Sequence, residues 1–438
     1  MNATTRSESP WPSDARTRGV AITTREQAQA CDRDDVLACH RALFDLPPGL
    51  IYLDGNSLGA LPRATPERLR QVVCDEWGQG LIRSWNSAGW VDLPRRVGDK
   101  IARLVGAGAG ELVVADSTSV NVFKTLHAAL AIARLDHPGR CLIVSERDNF
   151  PTDLYVADSL AREQGCTLLL VDAAEQLGPL LDEGEVAVLM LTHVNYRTGR
   201  MHDMAALNQR AHAQGTLVLW DLAHSAGAVP LDLQRDDADF AVGCGYKYLN
   251  GGPGAPAFVW VHPRHAGRCR QPLSGWFSHA TPFQFTPNYT PAPGIGRYLC
   301  GTPAVLGMAA LECGVDVLLA AGDMQALRAK SVALTQMFIE LVDQRCAGHG
   351  LELATPRADH FRGSQVCLSH PTDAHAIMQA LIARDVIGDF RAPDILRFGF
   401  TPMYTRFVDV WDAVDRLEQV LSSGAAREMR FQQREVVA

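Results

Sequence analysis

The stretch WDLAHSAG at Trp220–Gly227, followed by GCGYKYLNGGPG at Gly243–Gly254, decides the reading of this chain. An apolar run, TLVLW at Thr216–Trp220, reads as a buried strand that delivers Asp221 at its carboxyl end. Open α/β sheets place ligands at that end. Lys247 follows 26 residues after Asp221, between two tyrosines, with glycines on both sides and an apolar strand, Phe240–Gly243, before it. A lysine that forms a Schiff base needs surroundings that disfavour its charged amine. An aspartate facing a pyridine nitrogen keeps that ring protonated and effective as an electron sink. Asp221 and Lys247 at this spacing suit a pyridoxal 5'-phosphate (PLP) enzyme of the aspartate-aminotransferase type. An ordinary turn lysine and an N-capping aspartate would leave the same local pattern.

The flanking sequence repeats the alternation. Cys141–Ser145, Thr167–Val171 and Val186–Leu191 are short apolar runs that read as buried strands, and Ala257–Val261 reads as another. Between them, Thr152–Gly165 and Met204–Gln214 read as helices, each closed by a glycine. Strands alternating with helices at this spacing indicate βαβ units and a mainly parallel sheet. Residues 311–340 carry one long helical pattern, and strand, helix and strand patterns follow at Gly363–Leu368, Ala374–Arg384 and Ile395–Phe400. The expected organisation is a polar, flexible tail over 1–20, a segment over 21–60 that packs with the small domain, a large domain over 61–310 and a smaller C-terminal α/β domain over 311–438.

Two further stretches suit a phosphorylated planar cofactor. Ser117, Thr118 and Ser119 open an apolar helical run, and a helix start offers free N–H groups and a positive dipole end to a phosphate. An ordinary Ser/Thr N-cap would look the same. Asn149-Phe150-Pro151-Thr152-Asp153 puts Pro151 in a first helical turn and Phe150 where its ring can lie on a planar group or fill the core. The glycine-rich stretch Gly106–Gly110 follows a helical pattern rather than a strand and has the wrong spacing for a dinucleotide loop.

Composition sets the outer limits. Of 438 residues 47% are apolar and 21% charged, which excludes a disordered or coiled-coil protein. The net charge of −8, with acidic residues offsetting the arginines of the first 50 positions, argues against a nucleic-acid binder. Only Lys100, Lys124, Lys247 and Lys330 are lysines, so lysine chemistry has four candidates. The 11 cysteines show no C-x-x-C pair and no zinc spacing, and H-E-x-x-H is absent, so no metal is expected. Reduced thiols, the lack of an apolar h-region and the lack of an 18-residue apolar run together suggest a cytoplasmic protein without a membrane span.

Taken together, the motifs resemble kynureninase, a PLP-dependent hydrolase family of the aminotransferase-like fold type I. The likeness spans Tyr52 to Tyr404 and rests on YLDGNSLG (Tyr52–Gly59), STSVN (Ser117–Asn121), DNFPTD (Asp148–Asp153) and YRTG (Tyr196–Gly199). DLAH (Asp221–His224), GYKY (Gly245–Tyr248), GWF (Gly275–Phe277) and RFGFTPMY (Arg397–Tyr404) complete it. The resemblance implies that Lys247 carries the cofactor, that Asp221 holds its ring nitrogen beside His224, and that Phe150 stacks on the ring. Thr118, Ser119 and Tyr246 would contact the phosphate, with Asp153 and Thr192 completing the pocket. Trp276 and Thr302 would reach the cofactor across a homodimer interface. Arg397 would bind the substrate α-carboxylate, and Ser57 and Trp90 would line the substrate's aromatic pocket. Tyr246 would also relay a proton. The reaction implied is hydrolysis of L-kynurenine to anthranilate and L-alanine in tryptophan degradation, with 3-hydroxykynurenine as a second substrate. Within PLP chemistry the rivals are a cysteine desulfurase-like lyase and an aminotransferase. A non-catalytic PLP-binding regulator would need an N-terminal DNA-binding module, and the first 50 residues are not basic.

Overall fold

The apolar runs of the middle of the chain become the strands of one sheet in the computed structural model, which describes residues 22–268 and 271–433. The expected tail over 1–20 lies outside the described residues. In chain order the strands are β1 (Leu112–Val114), β2 (Leu142–Glu146), β3 (Thr167–Val171), β4 (Val186–Thr192), β5 (Leu217–Asp221), β6 (Phe240–Gly243) and β7 (Phe258–Val261). Their order across the sheet is β1-β7-β6-β5-β4-β2-β3. Neighbours from β6 to β3 run parallel, while β7 is antiparallel to both β6 and β1. β4, β5 and β6 are buried along their whole length, as continuous apolar runs covered on both faces should be. Helices Thr118–Asp136 (α1) and Pro151–Gln164 (α2) lie together on one face, where Leu126, Leu130 and Leu160 pack against Val188, Leu219 and Val242. The other face is covered by helices that include Leu93–Val105 and Val305–Ala320.

A second, antiparallel sheet follows: β8 (Glu352–Leu353), β9 (Gln365–Ser369), β10 (Asp389–Arg391) and β11 (Ile395–Gly399), in the order β8-β9-β11-β10. The N-terminal segment divides between the two units: Ala28, Ile51 and Leu53 join the core of the small sheet, whereas Leu37, Phe44 and Ala60 join that of the large one. Ile51–Tyr52 pairs in parallel with Val386–Ile387, and helix Arg25–Arg33 packs on helix Phe407–Ser423, where Arg25 meets Asp412 at 2.7 Å.

Two expectations are corrected. The long helical pattern over 311–340 is two helices, Val305–Ala320 and Met324–Arg345, bent 86° from one another. Gly322 takes φ +81° at the break, and Asp323 restarts the helix by accepting from the Gln325 N–H at 2.8 Å. The first helix buries Met308, Leu311, Val315 and Leu318 in the core of the large sheet, whereas the second gives Leu334, Phe338 and Leu341 to the core of the small one. Residues 311–320 therefore pack with the larger unit. The expectation of wholly reduced thiols is also corrected, because Cys141 and Cys166 form a disulfide. They immediately precede Leu142 and Thr167, which are register partners of the parallel pair β2 and β3, and their Cα atoms lie 4.8 Å apart. Sheet pairing, not sequence spacing, brings them together.

A buried ionic knot sits at the amino end of β6, away from the ligand-bearing edge. Asp239, 1% exposed, accepts from His212 Nε2 and His265 Nε2 at 2.8 Å each and from Arg264 at 2.5 Å. Burial alone would raise this carboxyl, but the His212, His265 and Arg264 contacts outweigh it and hold the group far below the usual carboxylate range. The stabilisation is present above the unfolded-state carboxylate pKa and is lost as pH falls toward the folded value. Asp239→Asn removes the buried carboxylate that Arg264, His212 and His265 donate to and should destabilise the fold by about 3 kcal/mol, read as a lowered midpoint of chemical denaturation at neutral pH.

Candidate active site

The carboxyl ends of β4 and β5 and the loops after β1, β2 and β6 converge on one cleft of about 180 Å³. Asp221 is the last residue of β5, and one of its carboxylate oxygens accepts from the Ala223 N–H at 2.8 Å. Lys247 stands on the loop after β6, and its Nζ bonds His224 Nε2 at 2.8 Å. The loop is braced from below: Gly59 N–H donates to the Tyr246 carbonyl at 2.8 Å, and a Cβ on Gly59 would come within 2.3 Å of the Lys247 carbonyl. Only glycine allows this approach, which explains the last position of the Tyr52–Gly59 motif. We expect Gly59→Ala to displace the Lys247 loop and lower cofactor retention, measured by absorbance after dialysis.

Burial disfavours the charged form of Lys247 and lowers its pKa, with the nearby Arg397 and Arg391 acting in the same direction. Burial likewise raises Asp221 and Asp153, which face one another. Lys247 opposes the rise at Asp221, whereas the Asp221 charge adds to it at Asp153. The upward push is the stronger at Asp153, and Lys247 opposes it at both carboxyls. Burial also lowers His224, so its ring is neutral beside Lys247. Burial pushes the Tyr246 phenol up, which keeps it a proton donor at neutral pH.

At the other end of the cleft, Ser117 caps α1 by accepting from the Val120 N–H at 3.4 Å. Thr118 and Ser119 occupy the first turn and line the cleft. Asp116 lines it too, in the left-handed region at φ +52°, with its carboxylate 2.7 Å from the fully buried Lys124 Nζ. Phe150 precedes α2, its ring edge-on to Tyr196 and its centroid 5.9 Å from Lys247 Nζ. Thr192 ends β4 and donates to Asn149 Oδ1, while Asn149 donates to Ser145 Oγ at 2.9 Å.

These residues fit a phosphorylated pyridine cofactor. Thr118 Oγ1 is buried with no partner at the helix start, where a phosphate oxygen would satisfy it. Asp153 Oδ2 is likewise buried without a partner beside Asp221. The Phe150 ring is 37% exposed although it lies in the cleft, which leaves a face for a planar ring.

The structure brings Thr118, Ser119, Phe150, Asp153, Thr192, Asp221, His224, Tyr246 and Lys247 into this one cleft. Arg397 and Ser57 stand just behind it. Arg397, 1% exposed on β11, donates to the Tyr196 carbonyl at 2.9 Å, to Ser57 Oγ at 2.7 Å and to Asp389, while its Nε is buried without a partner. Trp90 is elsewhere, donating to Glu76 at 2.8 Å and edge-on to Trp85. Trp276 and Thr302 do not line the cleft of their own chain. Trp276 stacks on Phe285, which is 76% exposed, and Thr302 is exposed as well. Sequence reasoning missed Asn149, Asp389, Arg391 and Gln365. Asn149 stood inside a quoted motif, but nothing local marks the other three. Burial, reinforced by Asp389, raises the nearby Asp54 to about 7. Among the described residues no cluster could hold a metal.

Residues 327–417 match the family model described as the kynureninase C-terminal domain. A kynureninase of Burkholderia pseudomallei (strain 1106a) is 57% identical over 95% of this chain and 100% of its own length. A kynureninase of Pseudomonas fluorescens is 55% identical with the same coverage of both chains. Among solved structures, a cysteine desulfurase from Thermococcus onnurineus NA1 superposes with a TM-score of 0.75 at 18% identity, covering 88% of this chain and 98% of that one. A C-DES variant with glycine covalently linked to its PLP cofactor superposes with a TM-score of 0.74 at 17% identity, covering 86% and 98%. At these identities the superpositions speak for the fold alone.

Proposed function

The chain belongs to the kynureninase family, and from that premise we propose how its cleft works. Its cofactor is pyridoxal 5'-phosphate, and its activity is hydrolytic cleavage of a Cβ–Cγ bond. The substrate of this reading is L-kynurenine, split to anthranilate and L-alanine in tryptophan degradation, with 3-hydroxykynurenine turned over as a second substrate. One observation supports it above the others: the Lys247 amine, the Asp221 carboxylate and the start of α1 share a single cleft.

When bound, the cofactor supplies an electrophilic carbon for the substrate amine and a ring that takes up the electron pair left at Cα. The chain does the rest. Thr118, Ser119 and Tyr246 would hold the phosphate, Phe150 would lie against the ring, and Asp221, with Asp153 beside it, would keep the ring nitrogen protonated. Lys247 would hold the cofactor, and its Nζ would take the Cα proton of the substrate, a role suited to an amine whose charged form is disfavoured. The Tyr246 hydroxyl holds a proton for the later steps, in which water adds to the side-chain carbonyl and the Cβ–Cγ bond breaks. Arg397 anchors the α-carboxylate, and Ser57 and Asp389 fix its guanidinium from behind. Trp90 has its indole N–H tied to Glu76, and packing accounts for its position.

A guanidinium presents a planar fork that an ammonium lacks. Arg397→Lys should therefore raise KM for L-kynurenine sharply, on the order of tenfold or more for the loss of a charge-assisted pair. Steady-state kinetics check this, and an unchanged KM would point to another carboxylate anchor.

The working unit of this reading is a homodimer in which Trp276 and Thr302 complete the neighbouring cleft. The exposed Phe283 and Phe285, against which the half-buried Trp276 packs, support it, as do the exposed Trp77, Leu81 and Ile82. We place the reaction in the cytoplasm; no single helix among the described residues is long and apolar enough to cross a membrane. A cysteine desulfurase would need a thiolate at the cleft. Cys244, which lines it, is buried with its thiol pushed up by that burial, the reverse of an activated cysteine. The ratio of kcat/KM for L-kynurenine and 3-hydroxykynurenine, followed by the fluorescence of each product, tests the substrate assignment. A ratio above one is expected, and a ratio below one would reassign the substrate.

A further inference from the structure

We propose that Gln365, on the small sheet, is a positioning residue that locks His224 in one tautomer, so that the ring nitrogen facing Lys247 is always a hydrogen-bond acceptor. The inference rests on the assignment of Lys247 above.

The hydrogen bonds around Gln365 leave its amide one orientation. Its Nε2 lies 3.2 Å from the Asn195 carbonyl and 3.2 Å from the Tyr196 carbonyl. Carbonyls only accept, so the NH2 must face them. Oε1 then faces His224 Nδ1, at 2.9 Å. An amide oxygen only accepts, so Nδ1 must carry the ring proton. A neutral imidazole has one N–H, which leaves Nε2 a bare lone pair. That lone pair lies 2.8 Å from Lys247 Nζ. The ring is neutral because it is buried and faces cations, Lys247, Arg397 and Arg391.

Gln365 is itself immobilised. It is 0% exposed on β9, and Gly199 of the YRTG loop lies against its side chain, so close that a Cβ there would come within 2.9 Å of Gln365 Cγ. The loop is folded on Asn195 Oδ1, which accepts from the Arg197 and Thr198 N–H groups at 2.9 and 3.0 Å. The chain Asn195/Tyr196 carbonyls, Gln365, His224, Lys247 thus runs from the small sheet to the catalytic amine. In the state where that amine is not bound to the cofactor, His224 Nε2 holds it in place by accepting one of its protons in a hydrogen bond.

The test uses histidine-15N-labelled holoenzyme, with the His224 ring signals assigned by their loss in His224→Gln. In the unsubstituted protein near neutral pH the signals should show Nδ1 protonated and Nε2 bare. Gln365→Leu should release the tautomer, and Gln365→Glu should place a carboxylate on Nδ1 and convert the ring to imidazolium. Both should lower kcat about tenfold or more, because a histidine in the wrong protonation state cannot serve its partner, with KM changed less than kcat. An Nε2-protonated ring in the unsubstituted protein overturns the proposal. So does a Gln365→Glu protein with the original ring signals and full kcat, and that variant, close in shape to glutamine, carries the test if Gln365→Leu does not fold. The ring signals are read without substrate, so they answer independently of whether the hydrolase reading survives.

Discussion

Lys247→Ala should abolish turnover while the folded protein retains part of its capacity for cofactor. The proton step at Cα alone is worth about 10²–10⁴ in rate when its acid–base group is removed, and the attachment of the cofactor is lost with the same side chain. No other described lysine can substitute. Lys124 is tied to Asp116 and the Tyr298 carbonyl, Lys330 to Asp35, and Lys100 to Glu312 and Asp316. On the proposed reading Thr118, Ser119 and Phe150, which line the cleft and which the substitution leaves in place, would retain the cofactor. Rapid-mixing and steady-state assays on the variant should show no multiple turnovers, and sustained turnover would remove Lys247 from its role.

The second large effect is expected at Asp221. On the proposed reading the Asp221 carboxylate, 5% exposed, would pair with the charged ring nitrogen of the cofactor. Asp221→Ala leaves that charge unpaired, a loss of about 3–5 kcal/mol. Both cofactor affinity, measured by titration of the apoenzyme, and kcat should fall by two or more orders of magnitude, on the order of the free-energy loss just given. Asp221→Glu should restore part of the affinity, since it keeps the charge at the end of β5 and only lengthens the reach. Unaltered affinity and rate in Asp221→Ala would show that the ring nitrogen is held by another group.

How far the sequence carried the account depended on where each signal lay. Strands β4 to β6 were readable because parallel strands buried on both faces appear as unbroken apolar runs, and the edge strand β3 was readable from its apolar run although it alternates exposed and partly buried residues. The Asp221 and Lys247 pair was readable because Asp221 ends such a run and Lys247 stands in a glycine-flanked loop just after another, and the cleft then assembled from contiguous motifs. Features built from distant contacts were not readable. Gln365 meets His224 across 141 residues, and no periodicity around Gln365 marks its role. Asp389 and Arg391 sit in a short strand whose identity depends on pairing with β11. The bend at Gly322 was hidden because both flanking helices are rich in apolar residues, so the helical pattern continues across it. The disulfide was hidden because Cys141 and Cys166 are brought together by strand pairing rather than by a spacing rule. Trp276 and Thr302 show the same limit: their family positions were legible from the GWF motif and the similarity around it, but a single chain puts neither in its own cleft.

The most direct test is to mix the purified, PLP-loaded protein with L-kynurenine, without any oxo acid, and follow anthranilate by its fluorescence while alanine is quantified. Catalytic release of the two products in equal amounts is the predicted result. Absence of both products, from a protein whose cofactor absorbance is present and disappears in Lys247→Ala, would keep the fold and the cofactor site and contradict the hydrolase reading.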